Sequence, residues 1–251
     1  ASIVFDRAAI PVGTNINDFY RIDTTPPNDP GYLWLGSYPF LKVNLNGERF
    51  MNESQPYQFD MNGSSLQPGS VEVTIWSEDT MQEKVLKKFH TLGCSRLGFP
   101  GIYKASEARK EVQDRIKDGL VKKANTIDDL AKQLHLPVDN LKKSITRYNQ
   151  ICQDGNDSDF GKEQYRLYPV NNGPYYGAWL SGRLLATLDG LRVNTKMQVL
   201  NKQGQIIPGL YAAGNCSGGF FWGSYPDRVP GLTASHAQTF GMLAGRYAVE
   251  N

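Results

Sequence analysis

The residues with the clearest capacity for chemistry lie near the C-terminus. Ile207-Pro-Gly-Leu-Tyr-Ala-Ala-Gly-Asn215 is followed by Gly218-Gly219 and then by Pro230-Gly-Leu-Thr-Ala-Ser235. The first run reads as a strand ending in a glycine turn with a polar side chain at its tip. The last run starts a helix at Gly231, and the amides of such a first turn have no intrahelical partner. They form a positive end that stabilises a nearby anion. Taken alone, this is also what an ordinary strand–turn–helix looks like. Tyr57, Tyr225 and Arg228 are the groups that could move a proton. A phenol with a pKa of about 10 is a poor acid at neutral pH unless a hydrogen bond or a cation assists it. Arg228 could be that cation for either tyrosine, or an ordinary surface arginine beside Asp227. Tyr175, Tyr176, Phe220, Phe221 and Trp222 could line an apolar pocket or simply pack in a core.

The elements that must position these groups can be read from periodicity. Turn residues crowd the first 35 positions, which read as mostly irregular. Asn46-Gly47 sits between two alternating stretches and predicts a type I′ hairpin, which needs positive φ at both residues. Val71-Glu-Val-Thr-Ile-Trp76 predicts a strand. A helix is expected from Ser106 to Ala124 on the stripe Val112, Ile116 and Leu120. Thr126 caps a second helix that ends at Leu136-Pro137, and Asp139 caps a third carrying Leu141, Ile145, Tyr148 and Ile151. Beyond Pro174, strands are expected at Leu191–Thr195, Gln198–Leu200 and Gln205–Ile207, and a short buried one at Leu210–Ala213. Leu232 to Val249 is small, apolar and poor in charge, as suits a helix buried inside a larger structure.

Composition excludes several classes. A net charge of +2 gives no field to hold nucleic acid or an anionic membrane. No apolar run of the roughly 18 residues needed to span a bilayer occurs. The start has no signal-peptide pattern. Cys94, Cys152 and Cys216 are too widely spaced to read as a metal or disulfide framework.

The order of the motifs carries a resemblance. The run from Gly209-Leu-Tyr-Ala-Ala-Gly-Asn215 through the glycine loop to the helix ending Gly-Met-Leu-Ala-Gly245 resembles the last segment of the fumarate reductase/succinate dehydrogenase flavoprotein superfamily. Val43-Asn-Leu-Asn-Gly-Glu-Arg-Phe-Met-Asn-Glu53 resembles the hairpin of its substrate-capping domain, and Thr126–Asn149 and Gly173–Tyr176 resemble the cap helices and the return to the flavin domain. The fold so implied is α+β: a cap with a small antiparallel sheet and helices over about residues 18–184, and a partial α/β FAD-binding domain from 1–17 and 185–251. The Gly-x-Gly-x-x-Gly turn that binds the ADP half of FAD is not in the chain, so the resemblance implies a separate N-terminal Rossmann half before Ala1.

By the same resemblance, non-covalent FAD meets Gly214 and Asn215 at the ribityl chain and Gly231, Leu232 and Thr233 at the ring, and Arg228 matches a substrate-binding arginine. The departures alter the expected chemistry. Tyr57 stands where fumarate reductases place an acid-donating arginine, and none of His90, His135 and His236 matches their paired histidines. A dicarboxylate therefore has no clamp. Asn52-Glu-Ser-Gln-Pro-Tyr57 and Gly223-Ser-Tyr225 instead look like the 3-ketosteroid dehydrogenase branch. The implied reaction passes a hydride between flavin N5 and an activated C–C bond of an unsaturated, ring-bearing small molecule. Tyr57 or Tyr225 moves the proton, and Tyr176, Phe221 and Trp222 line the pocket. The electron donor is left open, and a homodimer is one way to cover the exposed flavin-domain face. Two other readings stand beside this one: a cofactor-free binding module that kept the cap's pocket, and a fumarate-reductase-like enzyme with a relocated acid.

Overall fold

The computed structural model describes residues 3–14, 33–55, 57–89, 104–221, 225, 229 and 231–250. The chain divides into two compact units. The described part of the larger one covers 6–14, 33–55, 57–89 and 104–183, and that of the smaller one 3–5 and most of 184–250.

The larger unit is built on an antiparallel sheet. Its strands are β1 (Ile3–Ile10), β2 (Leu41–Val43), β3 (Val71–Ser77), β4 (Val121–Ala124) and β5 (Tyr175–Thr187). They run in the order β1-β5-β3-β2, with β4 also on β5. β3 pairs β5 from Val71↔Ser181 to Ser77↔Tyr175, and β2 pairs β3 through Lys42↔Thr74.

Both faces of this sheet are covered. On one face Leu41, Val43, Val71, Val73, Ile75 and Trp179 pack under α4 (Ile127–Gln133) and α5 (Val138–Asp154). On the other, Phe40, Trp76, Tyr176, Ala178 and Leu180 meet α2 (Glu83–Phe89) and α3 (Ala105–Lys117). Side chains alternate along a strand, so Lys42, Glu72 and Thr74 share the face of Phe40 and Trp76. That face is aromatic at one end and polar at the other, and α1 (Tyr57–Ser65) meets the polar end through Asp60.

The smaller unit pairs β6 (Gln198–Leu200) with β7 (Ile206–Tyr211) and ends in α6 (Leu232–Glu250). Leu191 crosses the chain at Cys216–Gly218, with its N–H donating to the Cys216 carbonyl at 2.8 Å and its carbonyl accepting from Gly218 at 3.0 Å.

Several expectations are corrected. The N-terminal stretch contains β1 rather than irregular chain; residues 15–32 lie outside the described part. Asn46-Gly47 is not a type I′ turn. Only Gly47 has positive φ (76°), and Asn44 closes the turn by accepting from Gly47 N–H and, through its side chain, from the amides of Asn46 and Glu48. The return arm is a single bridge, Val43↔Arg49, because β2 takes β3 as its neighbour instead. The helix expected over Ser106–Ala124 stops at Lys117; Gly119 has φ 76°, and Val121–Ala124 joins the sheet edge. Thr126 does cap α4, accepting from Asp129 N–H at 3.1 Å. Pro137, not Asp139, is the cap of α5, since proline's fixed φ suits a helix start. Leu191 and Val193 make isolated bridges rather than a strand. The strand over Leu210–Ala213 begins earlier, at Ile206, and is exposed rather than buried. α6 forms as expected, but only His236 in it is buried.

Gly190 is the tightest point of the smaller unit. A Cβ there would collide with the Cys216 carbonyl oxygen. Gly190→Ala must push two backbone segments apart. It is expected to destabilise the chain by about 1–3 kcal/mol, seen as a lower urea midpoint at unchanged slope.

Candidate active site

In the smaller unit the glycine turn and the start of α6 are built against each other. Gly214 has φ 68°, and a Cβ on it would come within 3.2 Å of Ala237 on the second turn of α6. Asn215 is exposed beside this turn, and its backbone carbonyl accepts from Thr187 Oγ1 at 2.7 Å. Gly231 takes φ 76° just ahead of the helix, with no heavy atom within 4 Å of where a Cβ would stand. The space at that Cβ position is thus open, and the Leu232 N–H donates to the Val229 carbonyl at 3.3 Å.

Thr233 Oγ1 donates to the Tyr225 hydroxyl at 2.7 Å, which places that phenol beside the first turn of α6. An aromatic cluster backs the arrangement. His236, 4% exposed, stacks on Phe220 at 3.9 Å, and Phe221 lies 5.5 Å from the Tyr225 ring. Burial pushes the His236 imidazole below its usual pKa, so it is neutral at pH 7. Of the residues singled out in the sequence, Gly214, Asn215, Phe221, Tyr225, Gly231, Leu232 and Thr233 stand together in this unit. Trp222 and Arg228 lie outside the described residues.

Tyr57 and Tyr176 belong to the larger unit. Tyr57 is the first residue of α1, and its side chain lies outside the described part. Tyr176 is 2% exposed. Its ring stacks on Trp76 at 5.6 Å, and its hydroxyl donates to Glu78 at 2.7 Å. It is a core residue of the sheet. Burial, reinforced by the Glu78 carboxylate, raises its pKa far above the ordinary phenol value.

The sequence reading missed a buried ion network around Glu53. Arg49 makes two hydrogen bonds to the Glu53 carboxylate, at 2.7 and 2.9 Å, and two to Asp157, at 3.0 and 2.7 Å. Lys162 Nζ lies 3.2 Å from Glu53 and donates to the Pro39 carbonyl at 2.6 Å and to the Tyr148 hydroxyl at 2.8 Å. Burial would push the Glu53 carboxyl up, but Lys162 and Arg49 hold it below the usual range. For Asp157 burial again opposes, and the bonds from Arg49 and from backbone amides bring it down to about 2. Lys162 is lowered by its burial, which Glu53 only partly offsets. Burial takes the Cys152 thiol up to about 11. The only hint in the sequence was the i,i+4 spacing of Arg49 and Glu53; Asp157 and Lys162 are more than 100 positions away.

Around the glycine turn and the start of α6 the smaller unit gathers seven of the residues singled out in the sequence. Residues 39–228 match the FAD binding domain family, and the chain belongs to that family. It is 34% identical over 239 residues to the vinyl phenol reductase of Lactiplantibacillus plantarum, covering 89% of this chain and 47% of that protein. It is 30% identical over 231 residues to the 3-oxosteroid 1-dehydrogenase of Mycobacterium tuberculosis, covering 83% of this chain and 38% of the relative. The fold matches the 3-ketosteroid Δ1-dehydrogenase of Sterolibacterium denitrificans with a TM-score of 0.67 at 21% identity, over 100% of this chain and 44% of that one. The chain thus spans less than half the length of these relatives. The superfamily resemblance read from the motifs is borne out, and so is FAD as its cofactor. The open space at Gly231 and the exposed Asn215 are compatible with a bound FAD.

Glu53 and Asp157 have depressed pKa values, so their contribution to stability is complete above the unfolded carboxylate range near pH 4 and is lost as pH falls through the folded values. Urea midpoints are expected to fall steeply from about pH 4 toward pH 2. Asp157→Asn should lower the midpoint at pH 7 and flatten that slope. An unchanged slope would mean that Asp157 does not contribute to the acid transition.

Proposed function

We propose that this chain is the substrate cap and C-terminal flavin-contacting segment of an FAD-dependent reductase or dehydrogenase that acts on a carbon–carbon bond conjugated to a ring. The observation that carries the reading is the Tyr225 hydroxyl held by Thr233 at the start of α6, next to the Gly214-Asn215 turn. It sets a phenol beside the start of a helix, which supports the reading. The 34% likeness to a vinyl phenol reductase supports a ring-bearing substrate, and the lack of a histidine or arginine pair at the matching positions speaks against a dicarboxylate.

Bound FAD would supply or accept the hydride and its electron pair. The chain's own residues do the rest. Gly231, Leu232 and Thr233 form the helix start, whose positive end favours negative charge on the reduced ring. Gly214 and Asn215 bind the polyol chain. Tyr225 orients the polarised end of the substrate, with Phe221 and Trp222 against its ring. Tyr57 carries the proton that the second alkene carbon gains or loses, and Arg228 favours the phenolate form. The electron donor to the flavin is a further partner, as is the N-terminal half that would bind the ADP moiety.

The test uses the full-length, FAD-loaded protein with its flavin reduced under anaerobic conditions. Reoxidation by a vinyl phenol, a 3-oxosteroid, acrylate and urocanate is followed at flavin wavelengths. We expect the ring-conjugated substrates to react faster than acrylate. Tyr57→Phe should cut kcat by at least about tenfold with flavin content unchanged, and Tyr225→Phe should mainly raise KM. Full activity in Tyr57→Phe would remove that residue from proton transfer. No reoxidation by any of the four would count against the reaction class.

A further inference from the structure

Helix α1 is a weak helix held by charge. Among its described side chains only Met61 is a buried hydrophobic, while Phe59 is 53% exposed. Nine residues are too few to be a stable helix alone, since isolated helices below roughly 12–15 residues are marginal. A fully buried ion cluster takes the place of apolar packing. Lys42 Nζ donates to Asp60 at 2.7 Å and to Glu72 at 2.9 Å, and neither the cation nor its two acids is exposed. One turn further, Ser64 Oγ donates to the Asp60 carbonyl at 2.9 Å and touches the Glu72 carboxylate. Lys42 and Glu72 stand on adjacent strands of the sheet, which is covered on both faces.

Asp60 and Ser64 are four apart, which puts them on one side of the helix that Tyr57 begins. Slipping a helix by one residue turns it by about 100° and shifts it by about 1.5 Å. The link from Asp60 to the sheet forbids that slip. We propose that Asp60 is a positioning residue for the reaction: its ion pair with Lys42 fixes the rotation and height of α1, and so the place from which Tyr57 moves its proton. This rests on the reading of Tyr57 as the proton carrier. Asp60 touches no reacting atom. It acts through the helix, and misplacement by about 1 Å can cost a reaction on the order of 100-fold.

The choice of Asp60 over Glu53 for the test follows from charge. Removing Glu53 takes from the buried Lys162 the carboxylate it pairs with and leaves Arg49 on Asp157 alone. In Asp60→Asn, Lys42 keeps Glu72 as its counter-ion. The experiment is a double-mutant cycle in the full-length FAD-loaded protein, with kcat, KM, flavin absorbance and the solvent deuterium effect on kcat read for each form. We expect Asp60→Asn to lower kcat at least about tenfold with KM within about twofold, and to raise the solvent isotope effect, because proton transfer becomes slower. In a Tyr57→Phe background the same change should alter kcat by less than about twofold, since two residues acting through one step do not add. Asp60→Glu, which keeps the charge but lengthens the link by a methylene, is read the same way should the asparagine variant fail to fold. Equal costs in both backgrounds, or kcat within about twofold of the parent, would overturn the proposal while leaving Tyr57 in place. Undiminished kcat in Tyr57→Phe alone would sink the proton-carrier reading and this inference with it.

Discussion

An ion moved out of water costs several kcal/mol unless an opposite charge meets it with good geometry. The larger unit takes on that cost at Arg49 and again at Lys42. Arg49 uses two edges of its guanidinium, one on Glu53 and one on Asp157, and so ties the turn after β2 to the entry of α1 and to the loop after α5. Lys162 joins the same carboxylate to the Pro39 carbonyl and to Tyr148 on α5. An apolar core of equal volume could be as stable. It would not fix four stretches of chain at stated distances from each other. The pairs give the larger unit its register.

The sheet provides the reference frame for that register. The apolar face of β2 and β3 against α4 and α5 could tolerate some sliding, because dispersion contacts are individually weak and not directional. The opposite face could not. Its aromatic end stacks Phe40, Trp76 and Tyr176 in sequence, and its polar end presents Lys42 and Glu72 to α1. A shift of one residue would turn Lys42 and Glu72 into the hydrophobic cluster and leave their charges unmet. The strand pairing and the ion pairs therefore exclude the same alternatives.

The sequence was most readable where local chemistry decides. The Thr126 cap, the stripe of α5 and the turn at Asn201–Gly204 each follow from residues a few positions apart. β5, the central strand, was not recognised. Tyr175-Tyr-Gly-Ala-Trp-Leu-Ser181 is buried on both faces and so shows no polar alternation. Leu120-Val-Lys-Lys-Ala124 continued a helical stripe until the pairing with β5 claimed it. At the candidate site, the glycines of the Gly214 turn and of the α6 start were legible because positive φ restricts the choice of residue. The ion network was not, because its partners lie on four separate stretches, and a lone Lys162 or Asp157 looks like any surface charge until the fold closes over it.

Helix α6 joins these two lessons. A helix that is apolar nearly all round belongs inside a structure. Here its later turns are open, with Met242 70% and Val249 88% exposed, and β7 beside it shows Ile206, Ile207 and Leu210. Its first turns are different. Ala237 closes on Gly214, Thr233 holds Tyr225, and His236 stacks between Phe220 and Phe240. The described contacts therefore fix the first turns of α6, while its later turns and β7 keep apolar side chains open.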